Sequence, residues 1–198
     1  MAETMLSRLQ TIAGRNEERA SRAGRLLKFA DNNSVDILAA ELKSKASLDS
    51  IERDPYWPKW DSPWWKMLLL AEMNLADRIR VITLEAMAAS IKKHYLSYFP
   101  LTESELPEGC DPYRDIICHC AYGCVYRIFH SAGKKSEEIF PEALKWFIKY
   151  QLPDGGLNCD ESAYAKSSPA SSFLSTLPPL EALLHCTRRN FNEEEISF

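Results

Sequence analysis

The sequence lacks the features that would assign it to several broad classes of protein. No apolar run in its 198 residues approaches the roughly 18 that a membrane-spanning helix needs, and residues 1–30 are too charged for a secretion signal. The formal net charge is only -4 and like charges do not cluster, so no surface for nucleic acid is indicated. These absences predict a cytoplasmic protein with neither a membrane span nor a nucleic-acid partner.

Segments that alternate apolar and polar residues, as half-buried strands do, are also missing. Nearly every segment instead carries the helical period, which predicts an all-α fold. Amphipathic helices are expected between residues 3 and 30, and Asn33 or Ser34 is expected to cap a helix ending near Leu42. Residues 1–53 are therefore interpreted as N-terminal helices that pack on a single repeat domain, residues 54–198.

Three nearly all-apolar segments divide the rest of the chain, and their ends lie about 55 residues apart. They read SPWWKMLLLAEMN, IICHCAYGCVYRIFHSAG and SSFLSTLPPLEALLHCT. In the third, the serines and threonine of residues 171–176 are expected to cap a helix whose first turn holds Pro178 and Pro179, because that turn needs no N–H donors. Each segment precedes a more amphipathic stretch or a helix start such as Asn192 with Glu195. Repeats of this kind stack into a solenoid or close into a ring of helix pairs. Because the last outer helix would be very short, we expect either a missing C-terminal segment or self-association.

The stretch YQLPDGGLNCDE strengthens this expectation. A helix ending in Gln151, followed by Asp154, Gly155 and Gly156 and then by a new apolar helix, resembles the repeat of the terpenoid-cyclase and protein-prenyltransferase superfamily. The chain is also similar to bacterial proteins with prenyltransferase or squalene-oxidase repeats. The resemblance implies an (α/α) toroid, or part of one, that holds an isoprenoid in a central cavity. A glycine at this turn would supply the positive φ that reverses the chain.

The acidic motifs expected from that resemblance are missing. The chain contains neither the D-x-D-D run of triterpene cyclases nor a D-D-x-x-D magnesium site. The resemblance to prenyltransferases implies a zinc site at Asp61, His119 and Cys120, but Pro63 replaces the cysteine of the D-x-C run. Zinc is therefore a weaker alternative, and the cofactor is otherwise unknown.

A candidate zinc site is indicated by Cys118, His119 and Cys120, because thiolates and imidazole are the ligands that zinc prefers. Successive residues on a helix point about 100° apart, so at most two of the three could reach one ion. A packed thiol cluster beside a hydrogen-bonded histidine is the favoured alternative. Cys159, a third thiol, lies further along the chain.

Two further groups are candidate functional residues. Asp160 and Glu161, with His119, are candidate catalytic acids or bases; the alternative for Asp160 is a helix cap in a solvated loop. Trp64, Trp65, Tyr122 and Cys159 are candidates for substrate binding, because aromatic walls line isoprenoid cavities; the alternative for the tryptophans is core packing.

Two interpretations of function remain. The first is a toroid protein that binds an isoprenoid or another extended apolar molecule, with cyclase-like or transferase-like activity as an extension. The second is a non-catalytic helical-repeat module that binds a partner or another copy of itself. The missing acidic motifs favour the second interpretation, and the positions of His119 and Asp160 near apolar helix starts favour the first.

Overall fold

A computed structural model describes the backbone of residues 32–186 and the side chains of residues 34–184. The helices predicted between residues 3 and 30 and the cap at Asn192 lie outside this range. Within it the chain forms eight α-helices and no strand, which confirms the all-α prediction. They are α1 Asn32–Leu42, α2 Lys45–Arg53, α3 Pro63–Glu72, α4 Val81–His94, α5 His119–Ser131, α6 Ser136–Ile139, α7 Ala143–Lys149 and α8 Phe173–Cys186.

Contacts between residues divide the chain into two compact units. The described part of the first comprises residues 32–90 with 131–133, and that of the second comprises 91–130 with 134–186. The sequence-based boundary between residues 53 and 54 falls inside the first unit, where the helices on either side of it pack together. No helix in the described range is both long and apolar enough to cross a membrane.

In the first unit, α1, α2 and α3 pack against one another. The C-terminal carbonyls of a helix have no partner within it, and side chains of α4 bind two of them here. The Thr83 hydroxyl donates to the carbonyl of Leu42 at 3.0 Å, and the Ser90 hydroxyl donates to the carbonyl of Ile51. All four residues are buried, so these bonds tie the helix ends into the core.

The predicted helix starts differ from the structure at two places. α1 already begins at Asn32, so neither Asn33 nor Ser34 precedes it as a cap. Pro178 and Pro179 were expected in the first turn of their helix, but α8 begins at Phe173 and the prolines lie beyond that turn. Because proline has no N–H, the ladder of hydrogen bonds in α8 is interrupted there.

In the second unit, α5 crosses α8 closely at these two prolines. A Cβ atom added to Gly123 of α5 would lie 2.5 Å from the carbonyl carbon of Pro178 and 2.5 Å from the nitrogen of Pro179. Only a residue without a side chain allows backbones to approach so closely. This contact fixes α5 against α8 and therefore positions the residues at the start of each helix.

Candidate functional site

The turn after α7 has the conformation that its glycines predict. Gly155 has a φ of +90°, and the Gln151 side-chain amide donates to its carbonyl at 3.1 Å. A Cβ on Gly156 would lie 2.5 Å from the Cβ of Ser171, so this position also requires glycine. Asp154 closes the turn, because its carboxylate accepts from the backbone N–H of Gly156 at 3.2 Å and of Ser171 at 2.7 Å.

The first turn of α8 holds the segment that follows. The Thr176 hydroxyl accepts from the backbone N–H of Leu157 at 3.0 Å, and the Ser175 hydroxyl accepts from that of Cys159 at 2.9 Å. Leu157 is fully buried. Since α8 also crosses α5 at Gly123, the loop that carries Cys159 is fixed relative to the start of α5.

His119 is the first residue of α5 and is completely buried. Its Nδ1 accepts a hydrogen bond from the indole Nε1 of Trp146 at 2.8 Å. Its Nε2 lies 3.1 Å from the hydroxyl of Tyr164, which donates in turn to the carbonyl of Tyr150 at 2.9 Å. The ring of Phe99 packs on the imidazole, with centroids 4.4 Å apart.

This network defines the protonation of His119. Because Nδ1 accepts from an indole, the neutral ring carries its proton on Nε2 and donates to Tyr164. Burial lowers the pKa of His119 to about 4, since the charged form would lose its hydration. Both ring nitrogens of His119 are therefore hydrogen-bonded within the core.

The two cysteines beside His119 point elsewhere. Cys118 lies just before the first residue of α5, so the 100° rotation between successive helical residues does not apply to it. Its side chain can therefore approach that of Cys120. Their Sγ atoms lie 3.1 Å apart, and the Sγ of Cys159 lies 3.7 Å from that of Cys120. Among the described residues, these three have donor atoms close enough together to hold a metal ion, all within 4.8 Å of one another. Asp61, in the other unit, is exposed and is not a member of this group.

The thiols differ in how easily they lose a proton. Hydrogen bonds from Cys118 and Cys120, together with one from Ser175, lower the pKa of Cys159 well below its usual value. The pKa of Cys118 is raised by its hydrogen bonds to Cys120 and Cys159 and by burial. Of the three thiols, Cys159 therefore loses its proton most readily.

The acidic pair after Cys159 lies at the surface. Asp160 precedes the 3₁₀ turn Glu161–Ala165, and its carboxylate accepts from the backbone N–H of Ser162 at 3.0 Å. Hydrogen bonds from the side chain and backbone of Ser162 lower the pKa of Asp160. Asp160 thus caps the 3₁₀ turn, and Asp160 and Glu161 are both exposed.

The tryptophans belong to the first unit. Trp64 is 1% exposed and contacts Tyr56 edge-on, with ring centroids 5.4 Å apart, as core packing requires. Trp65 is half-buried between Tyr56 and Trp60. Its indole Nε1 is buried without a hydrogen-bond partner among the described residues. Neither tryptophan borders the pocket described next.

An apolar pocket of about 220 Å³ lies in the second unit. Aliphatic and aromatic side chains from α4 to α7 form most of its wall, and they include Ile91, Leu96, Ile117, Tyr122, Phe140 and Trp146. Lys92 and Glu142 also border it and are exposed, which places them at its rim. Tyr122, predicted to bind substrate, is therefore a pocket residue, and burial and the negative charge of Glu142 raise its pKa to about 12.

No protein-family model, curated protein or solved structure matches this chain. The resemblance to the terpenoid-cyclase and prenyltransferase repeat therefore rests on the residues quoted above, and it remains a prediction.

Several residues that shape these environments did not stand out in the sequence. Tyr164 and Trp146 bind His119, and Ser175 binds the Cys159 loop. The serines and threonines at residues 171–176 were recognisable only as helix-capping types. In the structure, Ser175 and Thr176 also bind the backbone at Cys159 and Leu157, more than ten residues earlier in the chain. This role depends on the loop folding back onto α8.

Proposed function

We propose that the protein binds a small apolar molecule, or the apolar end of a larger one such as an isoprenoid, in the pocket of the second unit. The observation that carries the proposal is the pocket wall, which is almost entirely aliphatic and aromatic. Burial of apolar ligand surface contributes about 25 cal/mol per Å², and aromatic walls add specific contacts with unsaturated chains.

The pocket's size limits the ligand. Sites for drug-sized molecules have volumes of about 300–1,000 Å³, and the pocket here measures about 220 Å³. A short branched chain fits that volume better than a whole triterpene. Tyr122, whose pKa is raised to about 12, is protonated at neutral pH, so its hydroxyl can donate to an uncharged oxygen on the ligand.

Binding is supported better than catalysis. Asp160 and Glu161 are exposed, and His119 already uses both ring nitrogens. Closure of the helices into a toroid is part of the same proposal. It is supported by the order of the helices, in which α4 follows α3, and α6 and α7 follow α5, before the chain enters α8.

Calorimetry with short isoprenoid alcohols tests the proposal. Ile139 borders the pocket, so Ile139→Trp should fill part of it and weaken binding at least about tenfold, a change of 1.4 kcal/mol. Ile37→Trp is the matched control, because Ile37 is 61% exposed on α1, outside the pocket. Absence of saturable binding, or equal affinity in the two variants, would contradict the proposal.

A second candidate function is self-association through α8. Phe173, Leu177 and Leu184 share one face by helical spacing, and they are 76%, 37% and 60% exposed. Exposed apolar stripes of this kind mark interaction surfaces. Sedimentation should show concentration-dependent association that the double substitution Phe173→Ser, Leu177→Ser abolishes and Ile37→Ser does not. A monomer at every concentration would exclude this candidate.

A further inference from the structure

Three of the protein's thiols meet in the second unit, although they come from distant parts of the chain. Cys118 and Cys120 flank the start of α5, and Cys159 follows the turn after α7. All three are half-buried. Packing alone does not require thiols at three contacting positions, because a small apolar residue would fill the same space without a polar atom.

The separations of the sulfur atoms match those of a metal site. Zinc binds thiolate sulfur at about 2.3 Å in a tetrahedron, which places its sulfur ligands about 3.8 Å apart. The Cys120 and Cys159 sulfurs lie 3.7 Å apart, and the Cys118 and Cys120 sulfurs 3.1 Å apart. The second pair needs to separate by less than 1 Å to reach the zinc spacing, and the sulfurs of Cys118 and Cys159 lie within 4.8 Å of each other.

A disulfide explains the cluster less well. It would join two of the sulfurs and leave the third beside them without a role. The segment that carries Cys159 is also held in place, because the Ser175 hydroxyl accepts from the Cys159 backbone N–H at 2.9 Å. Such outer contacts orient metal ligands.

The surrounding fold fixes the cluster's geometry. The Gly123 contact holds α5 on α8, and Ser175 of α8 holds the backbone of Cys159 at 2.9 Å. The three sulfurs are therefore brought together by a helix crossing and a fixed loop. A site organised in this way loses little conformational entropy when the ion binds.

We propose that Cys118, Cys120 and Cys159 form a three-thiolate site for a soft metal ion, Zn²⁺ in the first instance. Three thiolates leave a net charge of -1 around Zn²⁺ and of -2 around Cu⁺, and the smaller charge suits a half-buried site better. His119 is excluded from the ligand set, because Trp146 and Tyr164 engage both of its nitrogens. This site therefore differs from the Asp61, His119 and Cys120 set that the family resemblance implies.

Three protein ligands leave one position of the tetrahedron for water or another exchangeable ligand. Structural zinc sites almost always have four protein ligands, whereas sites that bind or activate a molecule keep one position open. Among the described residues, no histidine or carboxylate joins the three sulfurs within ligand distance. The proposed ion thus has an accessible coordination site.

Metal titration of the reduced, full-length protein tests this proposal. Zn²⁺ is added to chelator-treated protein in competition with a chromophoric chelator, and the bound zinc is counted by elemental analysis. We expect one ion per chain. Cys118→Ser, Cys120→Ser and Cys159→Ser should each weaken binding at least about 100-fold. Cys110→Ser is the matched control and should bind as the unaltered protein does, because Cys110 lies outside the cluster.

A second measurement needs no variant and so does not depend on whether a variant folds. Zn²⁺ should protect the three cluster thiols of the unaltered protein from alkylation, and mass spectrometry of its peptides should show Cys110 still modified. Co²⁺ in place of Zn²⁺ should give a thiolate charge-transfer band in the near ultraviolet.

Three outcomes would overturn the proposal. They are the absence of stoichiometric zinc, affinity in the cluster variants equal to that of Cys110→Ser, and alkylation that Zn²⁺ does not alter. A disulfide-linked peptide joining residues 120 and 159, in protein that after reduction still binds no zinc, would show that the cluster is a redox pair instead.

Discussion

The start of α5 has two sides that differ in character although their residues are neighbours in sequence. On one side His119 is fully buried among aromatic rings, and both of its nitrogens are hydrogen-bonded. On the other side Cys118 and Cys120 are half-buried, and the sulfur of Cys120 lies 3.7 Å from that of Cys159. On the first side every ring nitrogen already has a hydrogen-bond partner. On the second side three sulfur atoms lie within 4.8 Å of one another.

This difference shows that residues of metal-binding types do not form a metal site merely because they are neighbours in the sequence. The C-H-C run at residues 118–120 suggests that the histidine and a cysteine could act together. The helix start directs them apart, and the third thiol comes from a loop nearly forty residues later. Each side can therefore be disturbed separately, and the crossing of α5 with α8 supports both.

The largest effect is expected from Gly123→Ala. The new Cβ would lie 2.5 Å from backbone atoms of Pro178 and Pro179, so α5 and α8 must move apart and both sides lose their geometry. We expect a loss of about 3 kcal/mol in the free energy of unfolding, measured by urea denaturation. The control is Gly133→Ala: its Cβ meets nothing within 4 Å, and its φ of +73° should cost about 1–2 kcal/mol. Equal losses in the two variants would show that the crossing is not tight.

The histidine side predicts a dependence of stability on pH. Burial lowers the pKa of His119 from 6.5 to about 4, so between these values the unfolded chain binds a proton that the folded chain does not. Stability should therefore fall as the pH falls through this window, by up to about 3 kcal/mol, and be independent of His119 above it. The titratable groups facing the ring are Tyr150, Tyr164 and Cys159.

Urea unfolding across this window, with chelator and reductant present, measures the effect. His119→Gln lacks the titrating ring, so its stability should depend less on pH. An identical slope in this variant and in the unaltered protein would assign the dependence to other groups.

A smaller effect separates hydrogen bonding from packing on the histidine side. Trp146→Phe removes the N–H that His119 accepts and leaves a buried acceptor unpaired, which should cost about 2 kcal/mol. Trp65→Phe is the matched control, because its buried indole N–H has no partner among the described residues. The Trp65 variant should lose less stability in thermal unfolding; similar losses would mean that ring packing accounts for both.

The smallest effect is expected from Ser175→Ala, which acts on the thiol side alone. It removes the acceptor for the Cys159 backbone N–H. Zinc affinity should fall by about tenfold, because outer contacts orient a ligand without being ligands themselves. The chromophoric competition assay measures this, and the pH dependence of stability should stay unchanged. A shifted pH profile would mean that the two sides are coupled.

Much of the helical framework could be predicted from local pattern. The apolar run at residues 62–74 contains α3, and the run at 116–133 contains α5. Gly155 adopts the positive φ expected of a glycine in a helix-ending turn. These features depend on neighbouring residues, so a single sequence reveals them. The prolines of α8 were misplaced because where that helix begins depends on its contacts with the loop before it.

The candidate sites could be predicted only as residue types. The sequence predicts His119 either as a ligand or as a hydrogen-bonded core residue, and the structure shows it buried with hydrogen bonds to Trp146 and Tyr164. The sequence predicts Asp160 either as an acid or as a cap, and the structure shows its carboxylate accepting from the backbone N–H of Ser162, as a cap does. No local pattern places Cys159 beside Cys120, because their contact depends on a turn, a loop and a helix crossing together.

The sequence by itself determined an all-α chain, the positions of its apolar helices and the glycine turn after α7. The hydrophobic period and the backbone freedom of glycine are local properties, so they do not depend on how distant parts of the chain fold. Only the tertiary structure decided which sulfur atoms lie close together. The approach of α5 to α8 at Gly123 brings two thiols from one segment to a third from another and turns the intervening histidine into the core.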